Sequence, residues 1–329
     1  MNRTGAPPDE RSPTLSATEI LSVAKLPPFL LDPLRAAFTV HERLHETDPA
    51  AFAAVAPRIQ GIAASGESKV GAALFDRMPQ LRIVSVMGVG YDGIDVAAAK
   101  ERGIVVTHTP GVLNDDVADL AIALMLGVAR GIGASDRYVR AGRWPEGPRP
   151  LARKVSGARL GLVGMGRIGQ AIALRAAAFG MTIAYTARSA KPDLPYRYFE
   201  SPRALAAETD FLVVITPGGA GTRKLIDASV LAALGPKGYV INVARGSVID
   251  EAALVAALQN GTIAGAGLDV FENEPHVPQA LWTMDRVLLT PHIGSATAET
   301  RHAMADLARA NLEAYFAGRP LPTPVPECR

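Results

Sequence analysis

The chain has 329 residues, 48% of them hydrophobic, and 34 Lys and Arg stand against 32 Asp and Glu. That length exceeds one comfortable core, so two domains are expected, and a balanced charge without like-charged blocks argues against nucleic acid or an acidic membrane as partner. The single Cys328 excludes an internal disulfide framework and suits a reducing compartment.

Residues 1–16 carry Pro, Asp, Glu and Arg where a signal peptide needs an apolar core. The apolar run 120–129 is about half a membrane span. A cytoplasmic location is therefore expected.

In chain order, residues 1–18 read as a flexible leader rich in Pro, Ser and charge. From 20 to 109, short apolar runs alternate with alanine-rich helical patterns. Segments 60–64, 81–86 and 104–107 read as strands, and 76–78 and 95–102 as parts of the helices between them. This βα alternation implies a parallel sheet.

Asn114, Asp115 and Asp116 then suit the cap of a helix whose next residues, 117–128, are apolar nearly all round. Such a helix must be buried, between domains or against a second subunit. The stretch 140–150 reads as a polar loop.

A second βα series starts at Arg159, with strands expected at 160–163, 182–185, 211–215, 239–243, 266–270 and 287–289. Helical patterns at 168–179, 204–208, 229–234 and 251–258 lie between them. Six strands make one full dinucleotide-binding unit. A last helix, 296–316, is ended by Gly318-Arg319-Pro320, and a Pro-rich tail follows. The expected fold is α/β: two Rossmann-like domains, parallel sheets flanked by helices, with the cofactor domain (111–292) inserted into a discontinuous substrate domain (19–110 and 293–329).

The first chemical signal is Gly164-Met165-Gly166-Arg167-Ile168-Gly169, between an apolar run and an alanine-rich helix. Gly164 permits a tight turn, Gly166 lets backbone N–H groups approach a pyrophosphate, and Gly169 lets helix and strand pack closely. The helix N-terminus adds free donors and partial positive charge. An NAD site wants a carboxylate about 20 residues further on for the ribose 2′-hydroxyl. Here that place reads Tyr185-Thr186-Ala187-Arg188-Ser189-Ala190-Lys191, with no acid before Asp193. Arg188, Ser189 and Lys191 suit a 2′-phosphate instead, so NADP(H) is expected over NAD(H).

Three further segments lie at the ends of late strands, where open α/β sheets place their ligands. They are 241–246, holding Val243 and Arg245; 267–275, holding Asp269 and Glu274; and 289–297, holding His292 and Gly294. With the glycine turn, they make the chain resemble the D-isomer-specific 2-hydroxyacid dehydrogenases from about Ile62 to Phe316. Val89-Gly90-Tyr91-Asp92 and the block 107–121 make it most similar to the NADPH-dependent glyoxylate/hydroxypyruvate reductases of that family. One stretch departs from the pattern: Thr216-Pro217-Gly218-Gly219-Ala220-Gly221-Thr222 replaces the more usual Leu-Thr-Pro-Glu before the Thr.

The resemblance implies roles. His292 is the general acid that protonates the keto oxygen as hydride reaches the carbon, and Glu274 orients its imidazole. Arg245 holds the substrate carboxylate and polarises the keto oxygen. Backbone N–H groups of Val89 and Gly90 grip the carboxylate, and Trp144 helps line the pocket, from a neighbouring subunit. On the cofactor side it implies Gly164, Gly166, Arg167, Ile168, Gly169, Arg188, Ser189, Lys191, Thr216, Pro217, Val243, Asp269 and Gly294. His41, His45, His108 and His302 have no charged constellation around them in sequence, and no spacing suggests a metal.

The implied activity is reduction of small 2-keto acids, glyoxylate and hydroxypyruvate above others, by a homodimer formed through the 114–144 region. The alternatives are a reductase of bulkier 2-keto acids such as hydroxyphenylpyruvate, or a nicotinamide-sensing regulator of the same fold.

Overall fold

The computed structural model describes residues 17–329. All of the expected leader except Ala17 and Thr18 lies outside them. Thr18 itself is buried, and its carbonyl accepts from the Thr39 N–H at 3.0 Å. The chain divides into two compact units, one running to Val112 and resuming at Ala298–Arg329, the other Leu113–Thr297.

The first unit is a five-stranded parallel sheet. Its strands are β1 (Glu19–Ser22), β2 (Thr39–Glu42), β3 (Ile59–Ser65), β4 (Ile83–Met87) and β5 (Val105–Thr107), in the order β2-β1-β3-β4-β5. Helices α1 (Pro28–Ala37), α2 (Leu44–Thr47), α3 (Pro49–Val55), α4 (Ala72–Phe75) and α5 (Val96–Glu101) connect them. β1 and β2 were not legible as strands, because four residues are too few to show a period. Residues 76–78 are not helical: α4 ends at Phe75, and Asp76 is its C-cap. β4 is buried at every position, as a strand covered on both faces must be.

The second unit opens with α6 (Asn114–Ala129) and α7 (Ile132–Arg140). It continues through β6 (Arg159–Val163), α8 (Arg167–Ala178), β7 (Thr182–Thr186), β8 (Arg197–Tyr198), α9 (Pro202–Ala207) and β9 (Phe211–Val214). Then come α10 (Ala228–Leu234), β10 (Tyr239–Asn242), α11 (Glu251–Gln259), β11 (Gly265–Leu268) and β12 (Val287–Leu289). Its parallel sheet has seven strands, not six, in the order β12-β11-β10-β9-β6-β7-β8. The extra strand, β8, is only two residues long and pairs with β7 at the sheet edge. The chain then returns to the first unit as α12 (Ala298–Phe316).

The second boundary falls at Thr297, five residues beyond the expected one at His292. Hydrogen bonds hold 293–297 to the second unit. Asp269 accepts from the N–H groups of Ile293 and Gly294, both at 2.8 Å, and Thr297 donates to Asp116 at 2.5 Å.

α6 corrects one expectation. The helix starts at Asn114 with Leu113 as N-cap and no side-chain cap, so Asp115 and Asp116 lie in its first turn, where the helix dipole favours them. Within its unit it packs against α8 and the sheet, while Ala123 is exposed and Leu120 and Leu126 are half-buried. Small residues allow the approach: a Cβ on Gly127 would collide with Leu288, and one on Gly267 would lie 3.0 Å from the Leu124 Cβ. Residues 132–140 form α7, whose last residue Arg140 falls in the expected loop, and Trp144–Glu146 form a 3₁₀ turn. Among the described residues no single helix is long and apolar enough to cross a membrane.

One ion pair ties β6 to β9. Asp210 accepts from the Arg159 N–H at 2.9 Å and pairs with the guanidinium groups of Arg159 at 3.1 Å and Arg153 at 3.2 Å. Burial pushes its carboxyl up, but the Arg159 hydrogen bonds outweigh that and hold it below the usual range. A depressed carboxyl stabilises the fold above its unfolded value, and that contribution is lost as pH falls through the folded one. Asp210→Asn should therefore cost about 1–3 kcal/mol at neutral pH. Urea unfolding should show the difference shrinking below about pH 4; a pH-independent difference would exclude the charge as its source.

Candidate active site

Apart from Trp144, every expected site residue of the second unit follows the carboxyl end of a parallel strand. Gly164 follows β6, Arg188 follows β7, Thr216 follows β9, Arg245 follows β10, Asp269 follows β11 and His292 follows β12. Parallel pairing puts all six strand ends on one edge of the sheet. The order reverses between β6 and β9, and such a switch point is where an open α/β sheet leaves a crevice for its ligand.

The glycine turn lies at that reversal. Gly164 adopts φ 110°, and a Cβ there would stand 2.6 Å from the Ile215 carbonyl oxygen of the neighbouring strand end. A Cβ on Gly169 would collide with the Gly164 carbonyl, so α8 reaches its packing distance only with glycine. Gly166, the N-cap of α8, has nothing within 4 Å of a Cβ position and no side-chain cap. Gly166 and Arg167 are exposed, and Ile168 is half-buried. An open, glycine-floored helix N-terminus with uncapped donors fits a pyrophosphate.

Arg188, Ser189 and Lys191 are exposed in the loop after β7. The loop is held from below: the buried Tyr185 hydroxyl accepts from the Lys191 N–H at 2.6 Å, and the Tyr198 hydroxyl donates to the Ala187 carbonyl at 3.3 Å. Two cationic side chains on a braced loop suit a phosphate monoester. In the divergent loop 216–222, the Thr222 hydroxyl donates to the Pro217 carbonyl at 2.7 Å and closes a 3₁₀ turn; Thr216 is half-buried and Pro217 exposed. Val243 is buried beside them in the sheet-end turn.

Glu274 and His292 meet directly. His292 Nδ1 lies 2.7 Å from Glu274 Oε2, and Glu274 Oε1 accepts from the Phe271 N–H at 2.9 Å. Both carboxylate oxygens are thus engaged. Burial pushes the Glu274 carboxyl up, but the His292 hydrogen bond, the Phe271 N–H and the nearby charges of His292 and Arg245 outweigh it. It is held below the ordinary range, an anion that accepts from Nδ1 and leaves proton exchange to Nε2.

His292 sits at φ 52°, a left-handed conformation uncommon for a side chain of this size. Asp269 holds it there. Only 2% exposed, Asp269 accepts from the Thr290 hydroxyl at 2.6 Å and from the Ile293 and Gly294 N–H groups at 2.8 Å each. Its carboxyl is pushed up by burial in spite of those bonds. Both of its oxygens turn toward the His292 loop rather than outward. Gly294 is buried, with its N–H taken by Asp269.

Arg245 is brought to Glu274 by backbone packing. A Cβ on Gly246 would fall on the Phe271 carbonyl carbon and collide with the Glu272 nitrogen. Asn242 shapes the turn, donating to the Arg245 carbonyl and accepting from the Ala244 N–H, both at 3.0 Å. Sequence reasoning assigned nothing to Asn242, Gly246 or Thr290. A Gly after Arg and a Thr before Pro carry no signal until the partner strand is known.

Trp144 is 67% exposed and makes no part of this edge of its own unit. In the first unit, Val89 and Gly90 follow β4 and are half-buried. Two histidines without a constellation in sequence acquire partners there: His41 lies 2.8 Å from the Glu19 carboxylate, and His108 Nδ1 lies 3.0 Å from the Val89 carbonyl.

Residues 122–294 match the family described as D-isomer specific 2-hydroxyacid dehydrogenase, NAD binding domain. A hydroxyphenylpyruvate reductase of Plectranthus scutellarioides is 49% identical over 82% of this chain and 86% of its own. A glyoxylate/hydroxypyruvate reductase A of Arabidopsis thaliana is 49% identical over 81% of this chain and 85% of its own. The solved structure of an NADPH-dependent glyoxylate/hydroxypyruvate reductase of Sinorhizobium meliloti, in complex with NADP and malonate, is similar with TM-score 0.90 and 48% identity. It covers 94% of this chain and 97% of its own.

Proposed function

The chain belongs to the D-isomer-specific 2-hydroxyacid dehydrogenases, and from that premise we propose that it reduces small 2-keto acids, glyoxylate and hydroxypyruvate above others, with NADPH. The observation that carries the reading is the His292–Glu274 contact at 2.7 Å beside Arg245, on the same sheet edge as the glycine turn.

The bound cofactor supplies the hydride. Gly164, Gly166, Arg167, Ile168 and Gly169 hold its pyrophosphate at the α8 N-terminus, and Thr216, Pro217, Val243 and Gly294 border it. Arg188, Ser189 and Lys191 receive the 2′-phosphate, which favours NADP(H) over NAD(H). Asp269 serves from behind, by fixing the loop that carries His292.

The Val89 and Gly90 N–H groups hold the substrate carboxylate, and Arg245 draws electron density toward the keto oxygen. His292 then gives its proton from Nε2 to that oxygen as the carbon accepts hydride. The product is a 2-hydroxy acid. Glu274 stabilises the imidazolium before transfer and keeps Nδ1 protonated after it.

The homodimer proposed for the 114–144 region is supported by the open face of α6, with Ala123 exposed and Leu120 and Leu126 half-buried, and by α7 and the turn after it. Ile132 and Val139, seven apart and on one helix face, are exposed, as are Trp144 and Leu151. In such a dimer Trp144 serves the partner's pocket. A monomer by light scattering at micromolar concentration would exclude it.

A second reading, a reductase of bulkier acids, is favoured by the equal identity to the hydroxyphenylpyruvate reductase. Steady-state assays of glyoxylate, hydroxypyruvate and hydroxyphenylpyruvate with NADPH and NADH test both readings. The first expects the highest kcat/KM on the small acids with NADPH. A preference for hydroxyphenylpyruvate favours the second, an NADH preference overturns the cofactor assignment, and turnover of none of them favours a nicotinamide-sensing role.

A further inference from the structure

His108 holds a position that the reaction chemistry alone does not demand. It follows β5, is only 8% exposed, and points its ring at the loop that follows β4. Nδ1 lies 3.0 Å from the Val89 carbonyl oxygen. A carbonyl can only accept, so Nδ1 is the protonated nitrogen and donates.

The consequence follows from peptide geometry. The Val89–Gly90 bond is trans, so the Val89 C=O and the Gly90 N–H point in opposite directions from one rigid plane. A donor that captures the carbonyl therefore aims the amide the other way. Among the described residues neither the Val89 nor the Gly90 N–H has a hydrogen-bond acceptor in the protein. The preceding carbonyl, that of Gly88, is captured as well, by the Thr109 N–H at 2.8 Å. Residues 108 and 109 together orient consecutive peptides of the loop.

His108 is itself held from the C-terminal tail. Its N–H donates to the Thr323 carbonyl at 3.2 Å, and the Thr323 hydroxyl donates to the His108 carbonyl at 2.6 Å. Fully buried Asn311, on α12, bonds both the Thr323 hydroxyl at 2.8 Å and the Thr323 N–H at 3.0 Å. The Tyr91 ring meets the imidazole edge-on at 5.2 Å, and its hydroxyl donates to Glu327 at 3.1 Å. The tail after α12 braces both the histidine and the loop it orients.

We propose that His108 is a positioning residue for substrate binding, which aims the Gly90 N–H at the substrate carboxylate by holding the Val89 carbonyl. The role rests on the reading of Val89 and Gly90 given above. It concerns a group that keeps its charge through the reaction, so its loss weakens ground state and transition state alike: KM rises while kcat stands.

The test compares His108→Leu, which fills the space without a donor, with His108→Asn, whose amide nitrogen replaces Nδ1. The Leu variant should raise KM for glyoxylate about tenfold, with kcat within about twofold and the Kd for NADPH unchanged. The Asn variant should stay near the wild type. An unchanged KM in the Leu variant overturns the proposal, as does an Asn variant impaired as much as Leu, which marks packing alone. A wild type that turns over no 2-keto acid overturns the functional reading first, and this role with it.

Discussion

His292→Asn should lower kcat for 2-keto acid reduction by about 10²–10⁴-fold, the usual contribution of a placed general acid. Asparagine suits this test for a structural reason. Position 292 is at φ 52°, and Asn is among the few residues that tolerate the left-handed region well, so the loop is not forced to move. The Asp269 bonds to the Ile293 and Gly294 N–H groups involve no atom of the altered side chain. The pyrophosphate and 2′-phosphate groups stand on other strand ends, and Gly294, on the His292 loop, is held by Asp269 through its backbone, so the Kd for NADPH should be unaltered. The loss should appear equally in kcat and kcat/KM, because the proton is needed only in the transition state. A variant with near-normal kcat would remove His292 from that role.

Gly246→Ala should be the most damaging single methyl in the second unit. The added carbon falls on the Phe271 carbonyl group and the Glu272 nitrogen, which are backbone atoms with no rotamer to escape into. Either the turn carrying Arg245 or the turn carrying Glu274 must move. Overpacking of this kind costs about 3 kcal/mol or more. The folded remainder should lose about 10²-fold in kcat/KM, as expected for a displacement of order 1 Å at a catalytic group. Urea unfolding gives the first quantity, and kcat/KM corrected for folded fraction gives the second. Wild-type stability would mean that the two turns do not pack as described. Wild-type activity in a destabilised variant would mean that their separation does not matter to the chemistry.

These effects depend on features of different legibility. The glycine turn could be read from the chain because each of its glycines meets a requirement local in sequence: a positive φ at Gly164, an uncapped helix start at Gly166, a close strand–helix approach at Gly169. The strands of the second unit could be read because parallel strands buried on both faces are continuous apolar runs bounded by helices. β1, β2 and β8 could not, since runs of two to four residues carry too little pattern.

What the sequence by itself determined is the α/β class, the presence of a dinucleotide turn without the ribose-binding acid, and the identity of Arg245, Glu274 and His292 as a candidate set. What only the tertiary structure decided is how those residues are held and which others hold them. Glu274 and His292 are 18 residues apart yet 2.7 Å in space, and the support between them comes from Asp269 and Gly246, whose partners lie on neighbouring strands. His108 and Thr323 are 215 residues apart and 2.6 Å in space. Hydrogen bonds and steric contacts act over a few ångströms, whereas sequence pattern reports periodicity along one element. A residue whose task is to aim a peptide on a different strand therefore leaves no trace in the chain until the sheet is formed.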